Sequence, residues 1–305
     1  MVVTLLLAGG AGPPIRRAVL ARLLAPDTAT VPAEFSAAGA ALADVAPQAA
    51  APFASQSATT RLVSRNWSGA SITPRQARRF TEIYGAWRVP RPVAPDGAPD
   101  GDYRSVAFIG LDGQRRYRDA TLPQIGTAHT VRVAGPHATL VTEAWWQWWT
   151  PDATPRPQVF RRLPVRPGDL ILCGLVVLDP TRVRFLICNA TAGLAVEPFE
   201  RTVPAPCGAA APTVSGATAE WVLERPSIFP TPRLFGFPAG GAVRFTGFAV
   251  SAAAPGQPGR HESLVGARLI DLVAAGRRRV ATLAAPRRLG PHRVEIGPPR
   301  EIGPP

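Results

Sequence analysis

The stretch Val141-Thr142-Glu143-Ala144-Trp145-Trp146-Gln147-Trp148-Trp149 holds four of the seven tryptophans in this chain of 305 residues. Its β-branched and aromatic residues favour a strand, in which side chains alternate between two faces. One face mixes acid, amide and indole groups, namely Val141, Glu143, Trp145, Gln147 and Trp149, and the other carries Thr142, Ala144, Trp146 and Trp148. Because Trp favours half-wet sites, we predict a binding cleft on the first face and core on the second. The alternative is that all four indoles are core and Gln147 is a buried, satisfied amide.

A second stretch, Ala219-Glu220-Trp221-Val222-Leu223-Glu224, predicts a strand with one face in the core. Ala219, Trp221 and Leu223 share that face, whereas Glu220, Val222 and Glu224 share the other. The two acids are separated by about 13 Å along such a strand. A retaining glycosidase needs its carboxylates at roughly 5 Å. Glu220 therefore requires a partner from another strand, or else lies on a solvated surface.

A third stretch, Leu122-Pro123-Gln124-Ile125-Gly126, places an amide among strand-forming residues. An amide and a carboxylate beside an aromatic wall indicate a hydrolytic site, with Gln124 and Glu220 as its polar groups. Motifs for a zinc site, a phosphate-binding loop or a serine nucleophile do not occur in the sequence. We expect no metal and no cofactor.

Short β-type runs bounded by Gly, Pro and Asp follow one another from Arg61 onward. This pattern predicts an all-β fold, a sandwich or a barrel. We expect an antiparallel β-sandwich of two curved sheets of the lectin-like jelly-roll type. We assign residues 61–297 to this domain, residues 1–60 to a poorly structured leader or pro-segment with its linker, and residues 298–305 to a disordered tail. An N-terminal helix at Pro14–Leu24 that packs on the fold is the alternative for the leader.

The formal net charge is +13, and every basic residue is Arg. These arginines are scattered rather than striped, which is typical of a compositional bias and not of a nucleic-acid surface. No apolar run approaches the ~20 residues that span a bilayer. We expect neither a nucleic-acid nor a membrane partner, and a monomer. The apolar run Val2–Leu7 has no basic residue before it, so it does not establish a signal peptide.

Cys173 and Cys188 lie in two apolar runs joined by Leu178-Asp179-Pro180-Thr181, which reads as a hairpin turn. A turn centred on residues 180 and 181 would set residue 173 opposite residue 188. A cross-strand disulfide follows if that register holds. Two buried free thiols are the alternative, and Cys207 has no partner in either case.

The order of motifs along the chain resembles that of the glutamic peptidases, also called eqolisins or peptidase family G1. The motifs that carry the resemblance are Asn66-Trp67-Ser68-Gly69-Ala70, Gly85-Ala86-Trp87-Arg88-Val89-Pro90, Phe108-Ile109-Gly110-Leu111-Asp112-Gly113, Leu122–Gly126, Ala144–Trp149, Pro167-Gly168-Asp169 and Ala219–Glu224. The resemblance implies a β-sandwich with its cleft on a concave face. It also implies Gln124 and Glu220 as the catalytic pair, with Phe108, Asp112, Glu143, Trp145, Gln147 and Trp149 around the substrate.

The resemblance further implies a secreted proenzyme that cleaves polypeptides in acid. A Glu at its ordinary pKa of about 4.3 is ionised enough in mild acid to take a proton from water. Gln124 would donate to the oxyanion, and a single donor of this kind contributes about 3 kcal/mol.

The chain departs from the family pattern at several positions. Phe108 stands where the family has Trp, and the aromatic strand, usually of Trp-Tyr-Glu-Trp-Tyr type, carries Gln147 for the acid and Trp149 for the second tyrosine. These changes bear on substrate preference and pH optimum. The rival to a peptidase is a non-catalytic β-sandwich that binds carbohydrate or peptide on its Trp-lined face, and a sandwich glycosidase comes third.

Overall fold

The computed structural model describes residues 28–37, 61–114, 121–150, 156–204, 212–228, 231, 233–275 and 280–298. The predicted helix at Pro14–Leu24, Cys207 and residues 299–305 of the predicted tail lie outside these ranges. All regular structure in the described part of the chain is β, as the sequence predicted. Its strands are β1 (Ala29–Val31), β2 (Phe35–Ala37), β3 (Arg61–Ser64), β4 (Trp67–Ile72), β5 (Arg79–Arg88), β6 (Gly101–Leu111), β7 (Leu122–Ala134), β8 (His137–Trp149), β9 (Gln158–Phe160), β10 (Leu170–Asp179), β11 (Arg182–Asn189), β12 (Leu194–Val196), β13 (Phe199–Thr202), β14 (Ala219–Glu224), β15 (Val243–Ala252), β16 (Arg260–Glu262), β17 (Arg268–Ala275), β18 (Val280–Gly290) and β19 (Arg293–Gly297).

The strands form two layers, and the expected β-sandwich is confirmed. The layer that we call the front sheet runs β2-β9-β8-β7-β6-β14-β4-β17, with β3 also paired to β17. The back sheet runs β13-β11-β10-β5-β15-β19, with β12 and β1 added beside β11 and β16 beside β15. Strand β18 pairs with β17 in its first half and with β19 in its second, so it links the layers. All pairings are antiparallel except β1–β12 and β3–β17.

The inter-sheet core receives the side chains that strand alternation assigned to it. Ala219, Trp221 and Leu223 of β14 lie in this core, together with Ala144, Trp146 and Trp148 of β8. Val222, Trp145 and Trp149 lie in a separate buried cluster on the opposite face of the front sheet. The predicted two-faced character of both strands is confirmed, and we call this second face the site face.

Trp221 joins the two sheets at one defined place. Gly85 and Gly247 stand directly opposite each other on β5 and β15, and they leave a bare patch on the back sheet. The Trp221 indole lies on this patch and donates a hydrogen bond of 3.0 Å from Nε1 to the Tyr84 carbonyl oxygen. A Cβ atom at residue 247 would come within 2.1 Å of that nitrogen. The indole therefore fixes β14, and the acids on its other face, against the back sheet.

Of the two alternatives for Cys173 and Cys188, the structure has two buried thiols with no disulfide between them. The expected register holds only beside the turn, where Asp179 faces Arg182. A β-bulge between Val177 and Asp179 then shifts the pairing by one residue. Cys173 consequently faces Ile187, and Cys188 faces Leu172. Since a shift of one residue moves a side chain to the other face, the two thiols point to opposite sides of the sheet.

Residues 28–37, within the segment predicted as leader, take part in the sheets. Strand β1 pairs with β12, and β2 pairs with β9 at the edge of the front sheet. Phe35 packs edge-on against Trp146 and Phe160, with ring centroids 5.5 and 5.3 Å apart. This part of the N-terminal region is thus packed against the body of the domain.

The Trp221 contact predicts a strong effect of Gly247→Ala on folding. The added methyl would meet the rigid indole and not the end of a flexible side chain, so we expect a loss of about 3 kcal/mol in the free energy of unfolding. Urea unfolding, monitored by Trp fluorescence, measures this loss. Gly290→Ala is the comparison for an open position, because its Cβ would have no atom within 4 Å and its φ is not in the left-handed region. A loss for Gly247→Ala no larger than that of Gly290→Ala would contradict this role of Trp221.

Candidate active site

Strand register places the two predicted catalytic residues in one row across the front sheet. Glu220 on β14 is opposite Gly110 on β6, and Gly110 is opposite Gln124 on β7. Ser71 on β4 extends the row beyond Glu220, and Gln147 on β8 extends it beyond Gln124. All five residues are buried. The structure thus brings together an amide and an acid that are 96 positions apart in sequence.

Gly110 is the residue that lets Gln124 and Glu220 face each other. Two strand spacings separate their Cα atoms by roughly 10 Å. The intervening strand contributes only the hydrogen atom of Gly110 between them. A Cβ atom at residue 110 would lie 2.7 Å from Leu122 Cδ1 and 3.5 Å from Phe108 Cε2. The space above Gly110 is therefore walled by apolar groups on the site face.

Gln124 is held by a direct contact with Gln147. Its Nε2 donates a hydrogen bond of 2.9 Å to Gln147 Oε1. The two residues are directly opposite in the β7–β8 pairing, and both side chains are buried. Since Gln124 lies inside β7, a rigid strand and not a loop carries the predicted oxyanion donor.

Glu220 is fully buried, and burial is the main cause that raises its pKa to about 8. The charge of Asp112 raises this pKa further, whereas Thr218, the Gly113 amide and the Ser71 hydroxyl lower it. Ser71 Oγ lies 3.5 Å from Oε1, a long hydrogen bond, and Oε2 has no partner of standard geometry among the described residues. The expectation of an ordinary Glu pKa is wrong for this packing, in which the carboxyl is protonated in acid.

Asp112, predicted near the substrate, binds the segment that leads into β14. It follows β6 with a positive φ of 65°. Its carboxylate accepts hydrogen bonds from the Ser215 amide at 2.6 Å, the Ser215 hydroxyl at 2.9 Å, the Gly216 amide at 3.1 Å and the Ala217 amide at 2.7 Å. Burial raises the pKa of Asp112, against these four donors, which lower it. These four hydrogen bonds fix the chain immediately before Glu220.

Aromatic side chains pack closely beside the row. Phe108 contacts Trp67 on one side and Trp145 on the other, edge-on, with centroids 5.8 and 5.9 Å apart. Gly126 lies between Phe108 and Trp145 in the register, and a Cβ there would come within 2.7 Å of the Phe108 Cβ. Trp149 is 8% exposed and Trp145 is inaccessible. The face predicted as an open cleft is therefore packed closed in this structure.

Glu143, the remaining predicted substrate contact, lies away from the row. It is on the site face of β8 but four residues from Gln147, about 13 Å along the strand. It is half-buried, and burial raises its pKa against the attraction of Arg104. The structure does not bring Glu143 to Gln124 and Glu220.

A second buried carboxyl, Glu224, has a different neighbour. Asn66 Nδ2 donates to Glu224 Oε1 at 3.2 Å. Burial raises the pKa of Glu224 well above its ordinary value, although Asn66 and Trp67 lower it. The prediction that Glu224 lies too far from Glu220 to be its partner agrees with this arrangement. The sequence gave no sign that Asn66 contacts Glu224.

Groups of three or more His, Cys, Asp or Glu side chains that could hold a metal ion do not occur in the described ranges. A search of the same ranges finds no helix with the length and hydrophobicity of a membrane span.

The buried titratable groups predict that the folded state is most stable near pH 4 to 5. Glu220 and Glu224 are protonated in the folded state, so unfolding releases their protons and stability falls from about pH 4.5 toward pH 8. Buried His129, with its pKa lowered to about 3, acts oppositely: it destabilises the fold as pH falls below 6.5. Because the two acids outweigh one imidazole, we expect a net loss of stability between pH 4.5 and 8, steepest above pH 6.5, where His129 no longer opposes it.

Urea unfolding at pH 3 to 8 measures this dependence. Glu224→Gln, which keeps an acceptor for Asn66, should remove one titrating proton. The free energy of unfolding of this variant should therefore fall less steeply with pH between pH 6.5 and 8. A wild-type free energy of unfolding that is constant over that interval would show that these carboxyls are not protonated in the folded state.

The chain was compared with known proteins. The family model described as the Peptidase A4 family matches residues 65–286. The fold is similar to that of scytalido-glutamic peptidase bound to a peptide-based transition-state analogue, with a TM-score of 0.56, 16% identity, and coverage of 77% of this chain and 98% of that one. It is also similar to SCP-B, a member of the eqolisin family in complex with the tripeptide Ala-Ile-His, with a TM-score of 0.52, 16% identity and the same two coverages. No curated protein sequence matches the chain significantly.

The family match covers most of the sandwich, including the whole row from Ser71 to Gln147 and Glu220. The structural similarities extend over nearly the full length of both solved proteins. The chain belongs to the Peptidase A4 family, the G1 glutamic peptidases or eqolisins, and is a peptide-bond hydrolase.

Proposed function

We propose that this chain is an endopeptidase in which Glu220 activates a water molecule and Gln124 stabilises the oxyanion. The observation that carries the proposal is the row itself, in which the carboxyl and the amide face each other across Gly110. A substrate carbonyl above Gly110 would lie within reach of both groups.

The reaction needs one proton to move twice. Ionised Glu220 takes a proton from water while the water oxygen bonds to the carbonyl carbon, and the electron pair of the C=O bond moves to its oxygen. Gln124 Nε2 donates a hydrogen bond to that oxyanion. Glu220 then returns the proton to the leaving nitrogen as the C–N bond breaks. Glu220 Oε2, which has no hydrogen-bond partner of standard geometry among the described residues, is the oxygen suited to carry the proton.

The carbohydrate-binding alternative loses its main support in this structure. Stacked sugars need exposed indole faces, whereas Trp145 is inaccessible and contacts Phe108 edge-on. A buried aromatic cluster beside a carboxyl and an amide fits a catalytic site better than a sugar platform.

Secretion, activation from a proenzyme, a monomeric state and the absence of nucleic-acid or membrane partners stay predictions. The division into a leader of residues 1–60, a domain of residues 61–297 and a tail is likewise proposed. Ion pairs on separate parts of the surface, such as Arg61–Asp271 and Arg184–Glu200, agree with dispersed rather than clustered positive charge.

Substitution of the two central residues tests the proposal. Glu220→Gln should lower kcat/KM on a denatured protein substrate by at least about 1000-fold, because the base and acid are lost. Gln124→Ala should lower it by about 100- to 1000-fold through loss of the oxyanion donor. The matched control is Glu224→Gln, which alters a buried acid on the same face of the same strand and should stay within about threefold of wild type. Wild-type rates in both Glu220→Gln and Gln124→Ala would refute the assignment.

The raised pKa of Glu220 predicts the pH range of activity. The pH dependence of kcat/KM reports ionisations of the free enzyme, and a general base must be ionised. With a pKa of about 8, the ionised fraction grows about tenfold per pH unit below that value. We therefore expect kcat/KM to rise from pH 5 toward pH 8, above the acid range that the resemblance implies. A plateau that extends down to pH 4.5 would contradict this expectation.

A further inference from the structure

We propose that Gln147 is a positioning residue, which sets the orientation of the Gln124 amide so that its nitrogen and not its oxygen faces the reacting carbonyl. This inference rests on the proposed function and deepens it. It stands on three observations: the hydrogen bond of 2.9 Å from Gln124 Nε2 to Gln147 Oε1, the direct pairing of the two residues across β7 and β8, and the complete burial of both amides.

A side-chain amide has two orientations of nearly equal shape, related by a half-turn that exchanges oxygen and nitrogen. Only one of them can donate to an oxyanion, and the other would place a carbonyl oxygen against it. The orientation of Gln147 distinguishes the two: with its Oε1 toward Gln124, as in this structure, a half-turn of the Gln124 amide alone would bring two oxygens together in a buried place where electrostatic interactions are strong.

The contact also fixes a direction. The two N–H bonds of an amide nitrogen diverge by about 120° from its planar geometry. The bond that Gln147 accepts points toward β8, so the second N–H is directed away from β8. On that side lie Gly110 and then Glu220. We infer that this second N–H is the one that donates to the oxyanion.

Gln147 performs this task without a charge. The titratable and charged groups on the site face of the front sheet include Asp102, Arg104, Asp112, Arg132, His137, Glu143, Glu220, Glu224 and Arg268. An amide adds none to this set, so the Gln124 orientation is the same at every pH. A carboxyl of the same shape at residue 147 would accept a hydrogen bond when ionised, but its protonated form could donate to Gln124 instead and reverse the amide.

Two substitutions at residue 147 test the inference on the full chain. Gln147→Leu keeps a branched end, one carbon closer to the backbone, but removes the acceptor, and kcat should fall about 10- to 100-fold while KM stays within about threefold. Gln147→Glu should keep most of kcat at the alkaline end of the profile. Its kcat should then fall more steeply than that of wild type toward acid, with one additional ionisation.

The matched control is another buried amide, Asn189, which donates to the Pro164 carbonyl at 2.9 Å and to Asp169 at 2.8 Å, away from the row. Asn189→Leu should lower the free energy of unfolding but leave kcat per folded molecule unchanged. If Gln147→Leu behaves like Asn189→Leu, and Gln147→Glu has the wild-type pH profile, Gln147 has only a structural role and the inference is refuted.

Failure of the proposed function gives a different result. In that case Gln124→Ala and Glu220→Gln would themselves retain activity. If those variants are inactive and both residue 147 variants keep wild-type kcat and pH dependence, only the inference about Gln147 fails. Should Gln147→Leu not fold, the pH profile of the near-isosteric Gln147→Glu decides alone, because a purely structural role predicts no additional ionisation.

Discussion

The packing of the Trp221 indole on the back sheet is the constraint on which the active site depends. The indole occupies the bare patch of Gly85 and Gly247 and donates to the Tyr84 carbonyl oxygen, so β14 has one fixed rotation about its own axis. With residue 221 inward, alternation directs Glu220 to the site face. A one-residue slip would place Glu220 in the inter-sheet core and the indole on the site face. The tryptophan and the acid are thus adjacent in sequence for a physical reason: one fixes the direction of the other.

Glycines perform a complementary task within the front sheet. On the site face, Gly110 lies between Glu220 and Gln124, and Gly126 lies between Phe108 and Trp145. In each case a bare position on one strand allows large side chains on the two flanking strands to approach. The row that contains Glu220 and Gln124 and the row that contains Phe108 and Trp145 therefore both depend on a glycine in an intervening strand. The two rows lie two residues apart along the strands. Gly126 shows how tight this packing is, since a Cβ there would come within 2.0 Å of the Ala107 carbonyl oxygen.

Local pattern was enough to predict which face each side chain takes, because strand alternation needs no knowledge of neighbours. It placed Glu220 and Trp221 on opposite faces and divided the indoles of β8 correctly. The choice of partners depends on strand order and register, which residues outside the strand decide. The sequence did not show that β6 lies between Gln124 and Glu220. It also did not show the single bulge between Val177 and Asp179, which places the two cysteines on opposite faces of the sheet. The contact of Gln124 with Gln147 required the exact β7–β8 register, which no motif encodes.

Burial is the property that sequence could least anticipate, and it determines the chemistry of Glu220. To ionise this carboxyl at pH 4.5 against a pKa of about 8 costs about 5 kcal/mol in the packed structure. Its neighbours on the Gln124 side are neutral amides, so most of that cost is lost hydration, with a smaller part from Asp112. Water that enters above Gly110 would restore hydration and lower the pKa toward its ordinary value. The aromatic cluster that excludes water from the row therefore also controls when Glu220 can act as a base. Entry of substrate and water into this space and ionisation of Glu220 are, in this fold, one coupled event.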